Sequence, residues 1–198
     1  MKPAFKRYLL AGVIILLAPL GAWGGESAYS KLNLDKDCKF DAPSDDENAG
    51  PGSSAKCQIG NFPTIYFDEG DLRQSIGFGA PKKYQTFGQF NYINNVIEWR
   101  SKNGKPYAAI VRFFIQNSHL DNNDGDKANL GQVLVVHRVA KSSKGQTCIV
   151  GMVDARANAN ANVLARQIAD KLATSFNCAT DKAEYLGIKG KFAGGAMF

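Results

Sequence analysis

The sequence predicts an α+β domain: an antiparallel meander sheet of about six strands with one C-terminal helix packed on one face, stabilised by disulfides. Three observations lead there. Between residues 64 and 155, segments rich in β-branched and aromatic residues alternate with turn signals, and the later connections are too short for a parallel crossover with its own helix. From Ala161 to Phe176, apolar residues recur at three- and four-residue steps. Four cysteines bracket two local units.

The 198 residues suit one domain with a real core once the beginning is set aside. Lys2, Lys6 and Arg7 precede an apolar run, Tyr8 to Leu20, and Ala22-Trp23-Gly24 places small residues at the two positions a signal peptidase reads. Residues 1–24 are therefore expected to be a signal peptide, residues 25–186 a single α+β domain and residues 187–198 a disordered tail. An uncleaved anchor is the competing reading; the run is short of the roughly 20 residues a span needs and contains Pro19. Cleavage leaves 21 Lys and Arg against 18 Asp and Glu, lowering the net charge from +6 to +3. The remaining cations are scattered in sequence without aromatic interleaving, which speaks against nucleic-acid binding. The expected setting is periplasmic or secreted, with no stable membrane insertion after cleavage.

Export makes disulfides the expected state of the cysteines. Four allow three pairings. Locality favours Cys38 with Cys57 and Cys148 with Cys178, closing separations of 19 and 30 residues, each worth on the order of 3 kcal/mol in a chain-entropy description. No C-x-x-C or His spacing recommends a zinc site.

In chain order, Ser27 to Leu34 reads as a short strand and Asp35 to Lys56 as a solvated, acidic loop tethered by its cysteines. Thr64 to Phe67 and Leu72 to Phe78 form a hairpin across Glu69-Gly70-Asp71. Tyr84, Phe87, Phe90 and Tyr92 read as satellite core, with a ligand-stacking wall as the alternative. Asn95 to Ser101 and Tyr107 to Gln116 flank Asn103-Gly104, a strong hairpin signal. After a polar excursion from His119 to Leu130, Gln132 to Ala140 and Thr147 to Ala155 form another hairpin.

The last of these strands and the helix form the organising unit. Cys148 to Ala155 spans about 23 Å at roughly 3.3 Å per residue, and a helix from Ala161 to Asn177 returns about 24 Å at roughly 1.5 Å per residue. The match brings Cys178 beside Cys148. Asn158 or Asn160 is the expected N-cap, and Cys148, Val150 and Met152 are expected to share the face that receives the helix.

Several stretches also carry a resemblance: Glu69-Gly70-Asp71-Leu72-Arg73, Ile97-Glu98-Trp99-Arg100, Pro106 to Arg112, Gly131 to Val136, and Val153-Asp154-Ala155 followed by Leu164-Ala165-Arg166 and Ile168-Ala169-Asp170. The chain from about Tyr29 to Cys178 resembles an uncharacterised family of small exported alphaproteobacterial proteins. The resemblance implies no activity and no catalytic residue.

Strand alternation nominates one ligand-binding constellation: Glu98, Arg100, Arg112, Arg138 and Asp154, charged groups on strand faces that also carry apolar residues. Arginine forks suit a small anion or carboxylate; an ion-pair network orienting the helix is the structural alternative. No catalytic residue is nominated. His137 lies in an apolar strand, no G-x-S-x-G elbow occurs, and Asp121 to Asp126 lacks EF-hand spacing, so neither metal nor cofactor is expected. The preferred function is an exported, non-catalytic binding protein of the cell envelope, its partner an unidentified protein or a small anionic ligand. An inhibitor or partner of a cell-wall enzyme, or a hydrolase using Glu98 or His137, is the alternative.

Overall fold

The computed structural model describes residues 24–42, 52–117 and 129–198. The leader through Trp23, the acidic cluster Asp45-Asp46-Glu47 and the run Asp121 to Asp126 lie outside the described residues. The architecture is mostly sheet with two helices and two disulfides. The order is β1 (Glu26–Lys31), α1 (Leu34–Asp37), β2 (Cys38–Phe40), β3 (Gly52–Cys57), β4 (Ile65–Gly70), β5 (Arg73–Phe78) and β6 (Thr86–Phe87). There follow β7 (Asn91–Lys102), β8 (Lys105–Ile115), β9 (Gly131–Arg138), β10 (Ile149–Asp154), α2 (Ala161–Leu172) and β11 (Ala196–Met197).

The sheet is larger than expected and not purely antiparallel. Nine strands join in the order β10-β9-β8-β7-β5-β4-β3-β2, with β1 paired to β7, and the β5–β7 contact at Arg73 and Asn91 is parallel. The later four strands do form the expected meander. The added strands come from the stretch expected to be loop: β2 and β3 pair with Cys38 opposite Cys57, and Asn33 caps α1 by accepting from the Asp35 and Lys36 amides. A disulfide between directly opposed residues holds together two short strands whose composition gives little apolar signal.

The sheet bends until Phe78 of β5 bridges to Val139 beyond β9. Its concave face encloses Phe67, Phe78, Trp99, Phe113, Val133, Val135 and Met152, all nearly inaccessible to water. Trp99 stacks on Phe62 at 4.8 Å and donates its indole N–H to Ser30 Oγ at 2.8 Å. The convex face carries Ala108, Ile110, Leu134, Val136, Val150 and Val153 and receives Ala161, Ala165, Ile168 and Ala169 of α2. The helix comes close: a Cβ on Gly151 would lie 2.8 Å from Ile168 Cγ2.

A bulge in β10 revises the face assignment. Ile149 pairs with His137 and Gly151 with Val136, so one residue is extra between them, and parity inverts there. Cys148 and Val150 face the helix as expected, whereas Met152 turns into the concave core and Val153 takes its place. The Cys148–Cys178 bond forms. The helix itself ends at Leu172, short of Asn177, and turns at 173–175 and 178–180 complete the return. Asn160 occupies the N-cap position without a side-chain bond. Asn158 instead binds Ile188 through both its amide groups.

The expectation of a disordered tail is overturned. Residues 187–198 fold back across the open end of the bent sheet: β11 pairs with β6, Ala193 is fully buried, and Asn117 donates to the Phe192 carbonyl at 3.0 Å. The glycines that suggested disorder include Gly187 and Gly194, at φ 85° and 73°, where L side chains are strained. The aromatics read as satellite core, with a ligand-stacking wall as the alternative, are spread over separate places. Phe87 is core, Phe90 lies under the Arg73 guanidinium, and Tyr92 stacks on Phe114.

The β4–β5 turn is centred on Asp71-Leu72, both at positive φ (50° and 56°), the geometry of a two-residue primed turn that favours glycine. Leu72 is 61% exposed and has little packing to lose. Left-handed strain costs about 1–2 kcal/mol, against roughly 0.5–1 kcal/mol for the added freedom of glycine in the unfolded chain. Leu72→Gly is therefore expected to raise stability by up to about 1 kcal/mol, read from the urea midpoint at unchanged slope.

Candidate functional site

Four charged side chains lock α2 against the flank of the sheet. Glu98 and Arg100, two apart on β7, stand about 6.6 Å apart along the strand; Arg166 and Asp170, four apart on α2, stand about 6 Å apart along the helix. The spacings match and the charges are opposite. Arg166 Nε donates to Glu98 Oε1 at 2.6 Å. Arg100 grips Asp170 with both arms of its fork, Nε to Oδ1 at 2.9 Å and Nη2 to Oδ2 at 2.7 Å. Ser27 of β1 sits between the pairs, donating to Glu98 and accepting from Arg100, each at 2.5 Å. Tyr107 donates to Asp170 Oδ1 at 2.5 Å, and Arg166 donates to Tyr29 Oη at 2.9 Å.

Burial opposes ionisation of Asp170, but the bonds from Arg100 and Tyr107 and the guanidinium charge outweigh it, holding the carboxyl below the usual range. Burial and the neighbouring carboxylate push the Tyr107 hydroxyl up to about 12. For Arg100, burial works against the charge and Asp170 more than offsets it, so its pKa rises.

Beside this seam lies a cleft of about 1190 Å³ between the N-terminal end of β1, the β7–β8 turn, the chain following β9 and the C-terminal end of α2. Lys102 and Lys105 flank the turn at Asn103-Gly104, which has the expected positive φ at both positions, and Arg138 and Lys141 line the opposite wall. The carboxylates at the cleft are Glu26 and the already paired Asp170. Among the described residues, Lys102, Lys105 and Lys141 make no ion pair within 4 Å. Arg138 donates to the Phe176 carbonyl beyond α2.

The five nominated residues therefore part company. Glu98 and Arg100 belong to the seam, and Arg138 lines the cleft, sharing a row with Arg100 across Ala108. Arg112 lies further along the same convex face, opposite Leu134, and donates to Gln132 at 2.9 Å; burial alone lowers its pKa. Asp154 leaves the set. The β10 bulge puts it opposite Val133 on the other face, where it accepts from the amides of Arg156, Ala157 and Gly190 and ties the turn before α2 to the C-terminal segment. Arg166, Asp170, Tyr107 and the lysines were not nominated. The opposite order of charges at i, i+2 on a strand and i, i+4 on a helix was the signal for the first two; nothing in sequence brings Lys141 to Lys102.

Two buried groups bear on catalysis. His137 is 1% exposed among Phe78, Phe113 and the valines, and its Nε2 has no hydrogen-bond partner among the described residues. Burial, with a lesser contribution from Lys82, pushes its pKa down to about 3. An imidazole sealed in the core cannot meet a substrate proton. Lys82 Nζ lies 2.8 Å from Ser75 Oγ, the spacing of a serine nucleophile and an amine base. Ser75 is fully buried and donates to the Gln85 carbonyl, while Lys82 is paired with Asp68 at 2.5 Å. The stem of Lys82 lies across Gly77, where a Cβ would come within 2.6 Å of it. The pair braces the turn after β5.

No protein-family profile, curated protein or solved structure matches the chain.

His137 makes stability depend on pH with a definite sign. The unfolded imidazole takes a proton near pH 6.5, whereas the folded one resists to about 3, so its contribution is complete above 6.5 and lost as pH falls toward 3. Between pH 6.5 and 4.5 the loss is expected to be roughly 2 kcal/mol. Urea titrations at the two pH values should show that slope in the natural protein and a flatter one in His137→Leu. Asp170, its pKa depressed, acts lower: its contribution holds above the unfolded value near 3.9 and falls away as pH drops through the folded one.

Proposed function

We propose that the protein is an exported, non-catalytic binding protein of the cell envelope that holds an anionic ligand in the cleft beside the helix–sheet seam. One observation carries this reading: Lys102, Lys105, Arg138 and Lys141 converge on the cleft, while its Asp170 is already neutralised by Arg100. Cations left unpaired around a concavity raise the local concentration of anions. Ammonium groups on flexible stems with one planar fork suit carboxylate or phosphate groups.

Export is supported by two disulfides, which persist in oxidising compartments, and agrees with the basic, then apolar, N-terminal sequence. Among the described residues no helix is long and apolar enough to cross a membrane. The non-catalytic reading rests on the burial of His137 and Ser75 and on Glu98 being 7% exposed and paired with Arg166.

Native mass spectrometry of the protein purified from its own envelope tests the reading. An acidic adduct is expected, with affinity falling at least tenfold when Lys102, Lys105 and Lys141 are changed together to Glu and falling also with added salt. An unliganded protein whose melting point is unmoved by citrate, phosphate or polyphosphate would reject it.

A further inference from the structure

Gly25 meets the seam in an unusual way. Its backbone N–H points at Asp170 Oδ2 from 3.3 Å, the long end of the hydrogen-bond range, while the same carboxylate already takes two bonds from Arg100 and one from Tyr107. No side chain fits at this position: a Cβ would lie 2.0 Å from Tyr107 Oη and 3.1 Å from the Ser101 carbonyl oxygen. Gly24, the residue before it, is exposed and lines the cleft. Gly24 is also the small residue after which the sequence pattern places signal-peptidase cleavage.

We infer that Gly25 is the mature N-terminus and that its α-ammonium docks on Asp170 as the last member of the seam. The inference rests on the export proposed above and goes beyond it. Hydrolysis adds one water across the Gly24–Gly25 bond: the C–N bond breaks, a C–O bond forms on Gly24, and the departing segment keeps a carboxylate. The amine left on Gly25 takes up a proton. A long amide contact thereby becomes a charge-assisted bond with three donors, which shortens and strengthens it. Arg166, Glu98, Arg100 and Asp170 together carry no net charge, so the ammonium makes the seam cationic on the side facing the cleft. The charged and titratable groups around it are Asp170 from α2, Arg100 and Lys102 from β7, Lys105 and Tyr107 from β8, and Glu26 next in the chain.

The sign of the pH effect follows. A free α-amine titrates near 7.7–8.0, and a carboxylate partner raises that value in the folded protein, so the stabilisation is complete below about pH 7 and disappears as pH climbs past the raised value. Two proteins test it: one released from a removable fusion so that it begins at Gly25, the other carrying one extra glycine, which displaces the amine by about 3.8 Å. At pH 6 the first is expected to melt about 2–4 °C higher. The gap should close by about pH 9.5 and be absent when both proteins carry Asp170→Asn.

Should that substitution prevent folding, 13C-methylation of the amine gives a second reading, with the Gly25 terminus titrating at a higher pH than the extended one. Equal melting points, a gap that survives in Asp170→Asn, or equal titrations would overturn the inference. In the producing cell, intact mass separates it from its premise. An envelope protein starting at Gly25 supports both, one starting elsewhere rejects the docked terminus alone, and an intracellular protein keeping residues 1–24 rejects export.

Discussion

Strands β8 to β10 carry apolar residues on both faces, and a sheet with two buried faces must find two covers. Trp99, Val111, Phe113, Val133 and Val135 point one way while Ala108, Ile110, Leu134 and Val136 point the other. The first set is covered by the sheet's own curvature, which brings β5 round to Val139. The second is covered by α2. Small residues let the helix approach: Ala165 and Ala169 are fully buried, and Gly151 lies under Ile168. At roughly 25 cal/mol per Å² of apolar surface, these two interfaces supply the main driving force of the fold.

The seam has a different task. Removing two ion pairs from water costs about as much as their attraction returns, so such pairs contribute little net stability. What they supply is register. Slide α2 by one turn along β7 and Arg166 faces Arg100, or Asp170 faces Glu98; like charges then meet at the border of an apolar interface. Only one position pairs all four. The bidentate grip of Arg100 on Asp170 and the bridging hydroxyl of Ser27 narrow the geometry further and draw β1, an otherwise exposed strand, into the same arrangement.

The cleft follows from that register. With α2 held where it is, Ala173 and Thr174 stand over the end of β9, opposite the β7–β8 turn. The disulfide from Cys178 to Cys148 fixes the segment that leaves the helix on the same side. The cleft thus gathers three ammonium groups on long unbranched stems with one guanidinium, an arrangement that selects charge before shape. The C-terminal segment works at the far end of the sheet, where Asp154 and Asn158 bind it through their side chains and seal the concave core.

The amino-acid order alone determined the elements whose signals are local. The Asn103-Gly104 hairpin, the meander of β7 to β10, the amphipathic α2 and the local disulfide pairing are each dictated by a turn residue, an alternation or a short loop. The faces of Glu98, Arg100, Arg112 and Arg138 were legible for the same reason, since side-chain direction alternates along an unbroken strand. Tertiary structure decided the rest. A one-residue bulge in β10 is invisible to alternation and sent Met152 and Asp154 to the opposite face. The glycines at 187 and 194 are the same in a loose tail as in a folded return, until Phe87, Asn117 and Asp154 are there to bind it. The assembly of Lys102, Lys105, Arg138 and Lys141 around one cleft depends on where a nine-stranded sheet bends, and such curvature is set by long-range contacts that no short stretch of sequence encodes.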